Sequence, residues 1–235
     1  QEIVKNYFIT GTDTDVGKSL VACALIEAFA ARGCRVAPMK PIAAGTVDVD
    51  GVEMNADVVA LREVSGSTAA LRDINPYCFP EAMAPHLAAQ HENITVELHV
   101  IKAAFDRLKT DVDTVLVEGA GGFLVPMSMD RSMSEIPAAL GLDVILVVGM
   151  RLGVLNHALL TIEAIRARGL TLAGWVANTT AAGATMLAFD ENHATLERMI
   201  DAPLLGTVPF DARSKTDLER ARRAAPYLRM DTLLR

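Results

Sequence analysis

A Gly17-Lys18-Ser19 triplet opens a long Ala- and Leu-rich helical pattern, and these residue types in this place are suited to binding phosphate. An apolar run that includes Ile3, Val4, Tyr7, Phe8 and Ile9 leads into it across the small polar loop from Thr10 to Val16. Strand, Gly-bounded loop, Gly-Lys-Ser and helix is the order of a P-loop. Inward-pointing main-chain N–H groups make an anion nest there, and the helix start adds its partial positive charge. Lys18 can then reach the terminal phosphates of a nucleotide, and the Ser19 hydroxyl can sit on Mg²⁺. The spacing departs from Gly-x-x-x-x-Gly-Lys-Ser. The first glycine is Gly11, and Thr12 stands where the pattern has glycine. A Gly-rich turn that merely caps a helix is the plainer alternative, but it leaves the coincidence of all four parts unexplained.

Four further groups can act with that loop. Lys40 closes an expected strand in Met39-Lys40-Pro41, at the edge to which a P-loop points. A second lysine there suits a reaction that builds negative charge at phosphorus. An ordinary surface lysine is the commoner outcome for this residue type. Glu118 follows the apolar run Val115–Val117 and begins Glu118-Gly119-Ala120-Gly121-Gly122. A carboxylate at a strand end can hold Mg²⁺, and the glycines admit a phosphate or a substrate to the backbone. A tight turn is the alternative. Asp57 sits at the start of a helical pattern, either as a simple helix-start acid or as a third oxygen aimed at the metal. Asn178 ends another expected strand, where its amide can meet the donor and acceptor edge of adenine or can simply make a turn. The five histidines have no metal-ligand spacing, and Gly-x-Ser-x-Gly is absent.

The elements that must position these groups alternate along the chain. Expected strands are 3–10, 35–39, 113–117, 143–149, 171–177 and 204–208; expected helices are 18–32, 56–64, 95–109, 134–141, 153–168, 184–200 and 214–226. Runs such as Val144–Val148 have no polar alternation, as in a parallel sheet buried on both faces. Gly33, Gly141 and Gly169 follow helical patterns, as helix-terminating glycines do. The expected fold is a single α/β domain over 1–235, a doubly wound, mainly parallel sheet with helices on both faces, like that of P-loop NTPases. The irregular stretches 40–55 and 65–93 should border the site.

Composition narrows the partners. Lys plus Arg is 22 and Asp plus Glu 29, for a net charge of −7, which disfavours a nucleic-acid partner. Three cysteines without Cys-x-x-Cys suggest neither a disulfide framework nor a zinc site, and fit a reducing cytoplasm. No apolar stretch approaches the ~18 residues of a membrane span, and no signal-peptide pattern is read at the start.

Together these stretches resemble the dethiobiotin synthetase family. The residues that carry the likeness are Phe8–Ser19, Lys40–Gly45, Asn75–Phe79, Pro85-His86, Val117–Gly122, Leu152–His157, Gly174–Asn178 and Pro203–Pro209, in the family's order. The displaced first glycine belongs to that family pattern. The family closes a cyclic urea from 7,8-diaminononanoate, CO₂ and MgATP. The resemblance implies that Lys18 and Lys40 are catalytic and flank the reacting phosphate. It implies Mg²⁺ ligation by Ser19, Asp57 and Glu118. ATP would be held by Asp15, Val16, Gly17, Lys18, Ser19 and Leu20, by Asp57 with Glu118, Gly119, Ala120 and Gly121, and at its adenine by Asn178, Thr179, Pro209, Phe210 and Asp211. The diamine acid would meet Thr14, Ala44, Gly45 and Asn156. A helix start at Asn156 would hold its carboxylate, across a homodimer interface. Two family serines are Ala44 and Ala84 here, and 180–197 matches the family poorly.

Two rivals share the general fold. A partitioning-type ATPase switch carries an extra lysine beside the first P-loop glycine, where this chain has Thr12. A glutamine-fed amidoligase needs a glutaminase module with a cysteine nucleophile, for which 235 residues leave no room, so that rival requires a separate partner subunit.

Overall fold

The computed structural model describes residues 5–180 and 186–234. The first strand, β1 (Tyr7–Gly11), runs down the middle of a six-stranded sheet and delivers the chain to the P-loop and helix α1 (Lys18–Ala30). Strand β2 (Val36–Met39) follows. Then come the short strands β3 (Ile42–Ala44), β4 (Val47–Val49) and β5 (Val52–Met54), helices α2 (Ala56–Ser65) and α3 (Leu71–Ile74), strand β6 (Tyr77–Phe79) and helix α4 (Pro85–His91). Regular alternation resumes with α5 (Leu98–Leu108), β7 (Thr114–Gly122), α6 (Glu135–Leu140), β8 (Asp143–Gly149) and α7 (Val154–Arg166). The last elements are β9 (Leu172–Asn178), α8 (Phe189–Met199), β10 (Leu204–Val208) and α9 (Asp217–Ala224).

The sheet order is β10-β9-β8-β1-β7-β2, and every neighbouring pair is parallel. Both faces are apolar because successive side chains point to opposite sides. Tyr7 and Ile9 pack on α1, while Phe8 between them packs in the cluster of α5. Ile145 and Val147 join the α1 side, while Leu146 and Val148 pack under α7 and α8 with Trp175. Helices α1 and α9 thus cover one face, and α5, α7 and α8 the other. This is the doubly wound parallel arrangement expected from the sequence. Among the described residues, no helix is long and apolar enough to cross a membrane.

All six expected strands form, as do the seven expected helices, with shifted ends. Positions 3–4 of the expected first strand and 184–185 of the helix expected over 184–200 lie outside the described residues. Gly33, Gly141 and Gly169 all adopt positive φ at helix ends. One expected boundary is corrected. The strand expected to stop at 117 continues to Gly122, because Ile9 and Gly11 of β1 pair with Glu118 and Gly122 across a register shift. Glu118 therefore lies within β7, not after it. The irregular stretch 40–93 holds two small sheets, β3-β6 and β4-β5.

Candidate functional site

The switch in strand order puts β1 between β7 and β8, and ligands of open α/β sheets bind outside the carboxyl ends of strands at such a point. A cavity of about 1390 Å³ opens there. Its walls come from the P-loop, the Lys40–Gly45 segment, the start of α2, β7, the end of β9, and the chain from Pro209 into α9.

The P-loop turns into α1 at Gly17, whose φ of +88° is left-handed. A Cβ there would lie 2.1 Å from Asn178 Nδ2. That amide is buried at the end of β9 and donates to Val16 O at 2.8 Å. Among the described residues, its Oδ1 is buried without a hydrogen-bond partner. Asn178 thus braces the loop at the edge of the cavity and leaves one acceptor uncommitted. The Lys18 ammonium donates to Asp13 O at 3.0 Å. Burial is the largest influence on Lys18 and pushes its pKa down, with nearby Lys40 acting in the same direction and Glu118 against it.

Lys40 follows β2 and is 4% exposed, so the surface lysine favoured by residue type is not what forms. Its main-chain amide donates to Ile74 O at 2.8 Å, and its carbonyl accepts from Asn75 Nδ2 at 2.7 Å. Its ammonium lies 2.7 Å from Glu118 Oε1 and 2.8 Å from Asp57 Oδ2. Burial opposes its charge, but Glu118 and Asp57 outweigh that and raise its pKa. Burial likewise opposes ionisation of Asp57, yet the Lys40 charge and hydrogen bond, with help from the Ser19 hydroxyl and Lys18, hold its pKa below the ordinary value. Asp57 is also a helix-start acid, in the first turn of α2.

The Ser19 hydroxyl donates to Glu118 Oε1 at 2.6 Å. Glu118 is 1% exposed, and its Oε2 is buried with no partner. Ser19, Asp57 and Glu118 therefore gather hard oxygens around one point beside Lys18. Among the described residues no group of three His, Cys, Asp or Glu side chains forms a metal cage. Mg²⁺ does not need one, since it is commonly held by one or two carboxylates plus substrate phosphates. The orphaned Oε2 and the oxygen-only donor set fit that ion.

The remaining expected residues separate into two sets. Thr14, Asp15, Leu20, Ala44, Ala120 and Gly121 line the cavity, as do Thr179, Pro209, Phe210 and Asp211. Four do not. Val16 is buried under Gly11 and Gly149 and offers only its backbone. Gly119 is pressed against Phe8, and Gly45 turns beside Ala82. Asn156 is exposed in the first turn of α7, outside the lining. Sequence reasoning missed Asn55, and it missed Arg213, Arg220, Arg223 and Tyr227, which bring α9 and the chain on either side of it to the cavity. Asn55 was legible as an N-cap two residues before Asp57. The arginines carry no such mark.

Fold and loop together define a P-loop nucleotide-binding α/β protein. A family model described as an AAA domain matches residues 5–217. The ATP-dependent dethiobiotin synthetase of Aromatoleum aromaticum is 49% identical over 206 residues, covering 88% of this chain and 91% of that one. That of Escherichia coli is 43% identical over 210 residues, covering 89% and 92%. The chain belongs to the dethiobiotin synthetase family. Among solved structures, the MinC:MinD cell division complex of Aquifex aeolicus aligns with a TM-score of 0.57 at 12% identity, covering 97% of this chain and 93% of that one, a likeness of fold alone.

Proposed function

We propose that this protein closes the ureido ring of dethiobiotin from 7,8-diaminononanoate and CO₂, with ATP converted to ADP and phosphate. The observation that carries the reading is the buried Lys40, held between Glu118 and Asp57 beside the P-loop lysine. One amine of the diamine attacks CO₂ and loses a proton to give a carbamate. A carbamate oxygen attacks the γ-phosphorus, and ADP leaves. The second amine then attacks the carbamoyl carbon and loses a proton to solvent, the C–O bond to phosphate breaks, and phosphate departs with that oxygen. The protein supplies position and charge rather than a nucleophile. Lys18 and Lys40 face the charge that builds on the transferred phosphoryl group, and the loop amides hold the phosphates. Mg²⁺ would be held by Ser19, Asp57 and Glu118, and would neutralise phosphate charge.

The open Oδ1 of Asn178 is the acceptor for the exocyclic amino group of adenine, with Thr179 and Pro209–Asp211 around the base. The diamine acid lies toward Thr14 and the Ala44–Gly45 turn. Its carboxylate goes to the start of α7 at Asn156. Asn156 and Leu160, four residues apart on one helix face, are both exposed, and Leu152 just before α7 is 92% exposed. That face supports a homodimer that completes the site. The whole chain is read as one domain acting in the cytoplasm.

Turnover with freshly added ¹⁸O-labelled CO₂ tests the chemistry. Label is expected in the released phosphate, with no more than one labelled oxygen in a single turnover. Hydrolysis by a nucleotide switch takes oxygen from water instead. CO₂ exchanges oxygen with water, so quenching is early and residual label is measured. Label retained in CO₂ but absent from phosphate defeats the carbamate-phosphate route.

A further inference from the structure

Asn55 makes hydrogen bonds in two directions. Its Oδ1 accepts from the Asp57 amide at 3.0 Å and so caps α2. Its Nδ2 donates to Gly45 O at 2.8 Å and to Ala44 O at 3.3 Å. Its main-chain amide is also bonded to Cys78 on β6, the strand paired with β3. The residue is 9% exposed and lines the cavity with Ala44 and Asp57 on either side of it. Each polar group of its side chain is thus committed, and the two ends hold different parts of the site.

Those parts need holding. The Gly45-Thr46 link joins β3 to β4, three-residue strands of two different two-stranded sheets, each too small to fix its own geometry. Strand β6 holds the amide side of the turn, where Gly45 N–H donates to Phe79 O at 2.9 Å and Thr46 N–H to Pro80 O at 3.1 Å, and Asn55 holds its carbonyl side. Gly45 has φ of +86°, and Ala44 brings no polar side chain, so the turn can address a ligand only through its main chain. Main-chain groups recognise a ligand only when the chain is fixed. We infer that Asn55 is a positioning residue with two separable tasks: its amide nitrogen fixes the Ala44–Gly45 turn for the diamine acid, and its oxygen fixes the start of α2 and hence Asp57. This rests on the functional reading above.

Substitution can separate the tasks. Serine is as good an N-cap as asparagine, but its side chain is too short to reach the Ala44 and Gly45 carbonyls. Asn55→Ser is therefore expected to raise KM for 7,8-diaminononanoate about tenfold, as for one or two lost hydrogen bonds, with kcat within about threefold of wild type. Its Mg²⁺ requirement and KM for ATP should stay within about twofold. Asn55→Ala loses both ends and should raise the Mg²⁺ requirement as well. Thermal melts accompany the kinetics. An unchanged diamine KM in Asn55→Ser overturns the inference, and so does an Mg²⁺ requirement raised equally in both variants. If Asn55→Ser does not fold, Asn55→Asp keeps the acceptor and the shape and takes its place. Failure of both to fold makes Asn55 a purely structural residue and also overturns it. Phosphate release by wild type that is independent of the diamine defeats the functional reading itself, a result distinguishable from all of these.

Discussion

Replacing Lys40 by methionine should do two things that can be measured apart. Lys40 and Glu118 have side chains 5% and 1% exposed and lie 2.7 Å apart. Methionine keeps the bulk of the lysine stem and removes the charge, so Glu118 is left as a buried carboxylate without its ion-pair partner, keeping the Ser19 hydrogen bond. Breaking a buried pair on one side costs roughly 3–5 kcal/mol. With a urea m-value near ~3 kcal/mol/M for a chain of this size, the midpoint should fall by about 1–1.7 M. Trp175, the single tryptophan and fully buried, reports the transition by fluorescence. Adding Glu118→Gln to Lys40→Met removes the stranded charge and should return ~2 kcal/mol or more. Turnover should fall by about 10²–10³ in Lys40→Met and should not return in the double variant. A double variant no more stable than Lys40→Met would refute the stranded carboxylate as the cause. A Lys40→Met enzyme with near wild-type turnover would remove Lys40 from the chemistry.

The same variant has a pH signature. The folded pKa of Lys40 is raised, so its contribution is complete below about 10.4 and is lost only as pH rises through the still higher folded value. It is therefore constant from pH 7 to pH 4. The folded pKa of Asp57 is lowered, so its contribution is present above about 3.9 and is lost as pH falls through the folded value. Lys40→Met removes the two largest influences that lower the Asp57 pKa and leaves the Ser19 hydroxyl and Lys18 against burial, so less of that contribution is present to be lost. Urea titrations at pH 7, 4 and 3 should show the deficit of Lys40→Met shrinking as acid is added below about pH 4. A deficit that grows on acidification contradicts the assigned pairing.

Gly17→Ala must place a Cβ on Asn178 at a left-handed φ, and should weaken ATP binding at least ~tenfold while costing roughly 1–2 kcal/mol of stability. Equilibrium titration with ATP checks it, and wild-type affinity would dissolve the strut between loop and base site. Asp57→Asn and Glu118→Gln should each raise the Mg²⁺ requirement, because hard Mg²⁺ prefers carboxylate oxygen to an amide. The larger effect is expected for Glu118, whose Oε2 is buried with no partner among the described residues; unchanged Mg²⁺ titrations in both would end their assignment to the metal.

The parts of the fold legible in the sequence are those whose signal is local and repeated. Val144–Val148 reads as a doubly buried strand because five residues in a row carry the same message. Strands β3 and β6 have three residues each, too few for any period, and they pair across an intervening helix-bearing segment. Their order comes from Asn75, which bonds the carbonyls of Lys40 and Tyr77, and from Asn55; neither amide announces its partner in sequence. Lys40 illustrates the limit most sharply. Its position at a strand end was readable, but its burial depends on Glu118, 78 residues away. The Gly119–Gly122 run read as loop because glycine is poor in strands, whereas here it continues the ladder beside β1, where Phe8 leaves Gly119 no room for a side chain.

The misplaced first glycine of the phosphate loop has a physical explanation in the same terms. At Gly11 a Cβ would come within 2.6 Å of Val16 Cγ2, and within 3.1 Å of both Asp13 O and Lys18 Cγ. Glycine is needed there because the loop folds back over the strand end, bringing Val16 and the Lys18 stem down on it. Thr12 has no such constraint. Its amide donates to Val147 O at 3.0 Å, and its hydroxyl accepts from the Gly149 amide at 3.4 Å, so it continues the bonding to β8. The left-handed turns fall instead at Gly17 and at Asp15, whose φ is +58°. Aspartate tolerates that region better than most residues. The loop thus meets its steric demand one position before the standard glycine. It meets its backbone demand one turn later, and Lys18 and Ser19 still emerge at the start of α1 facing Glu118.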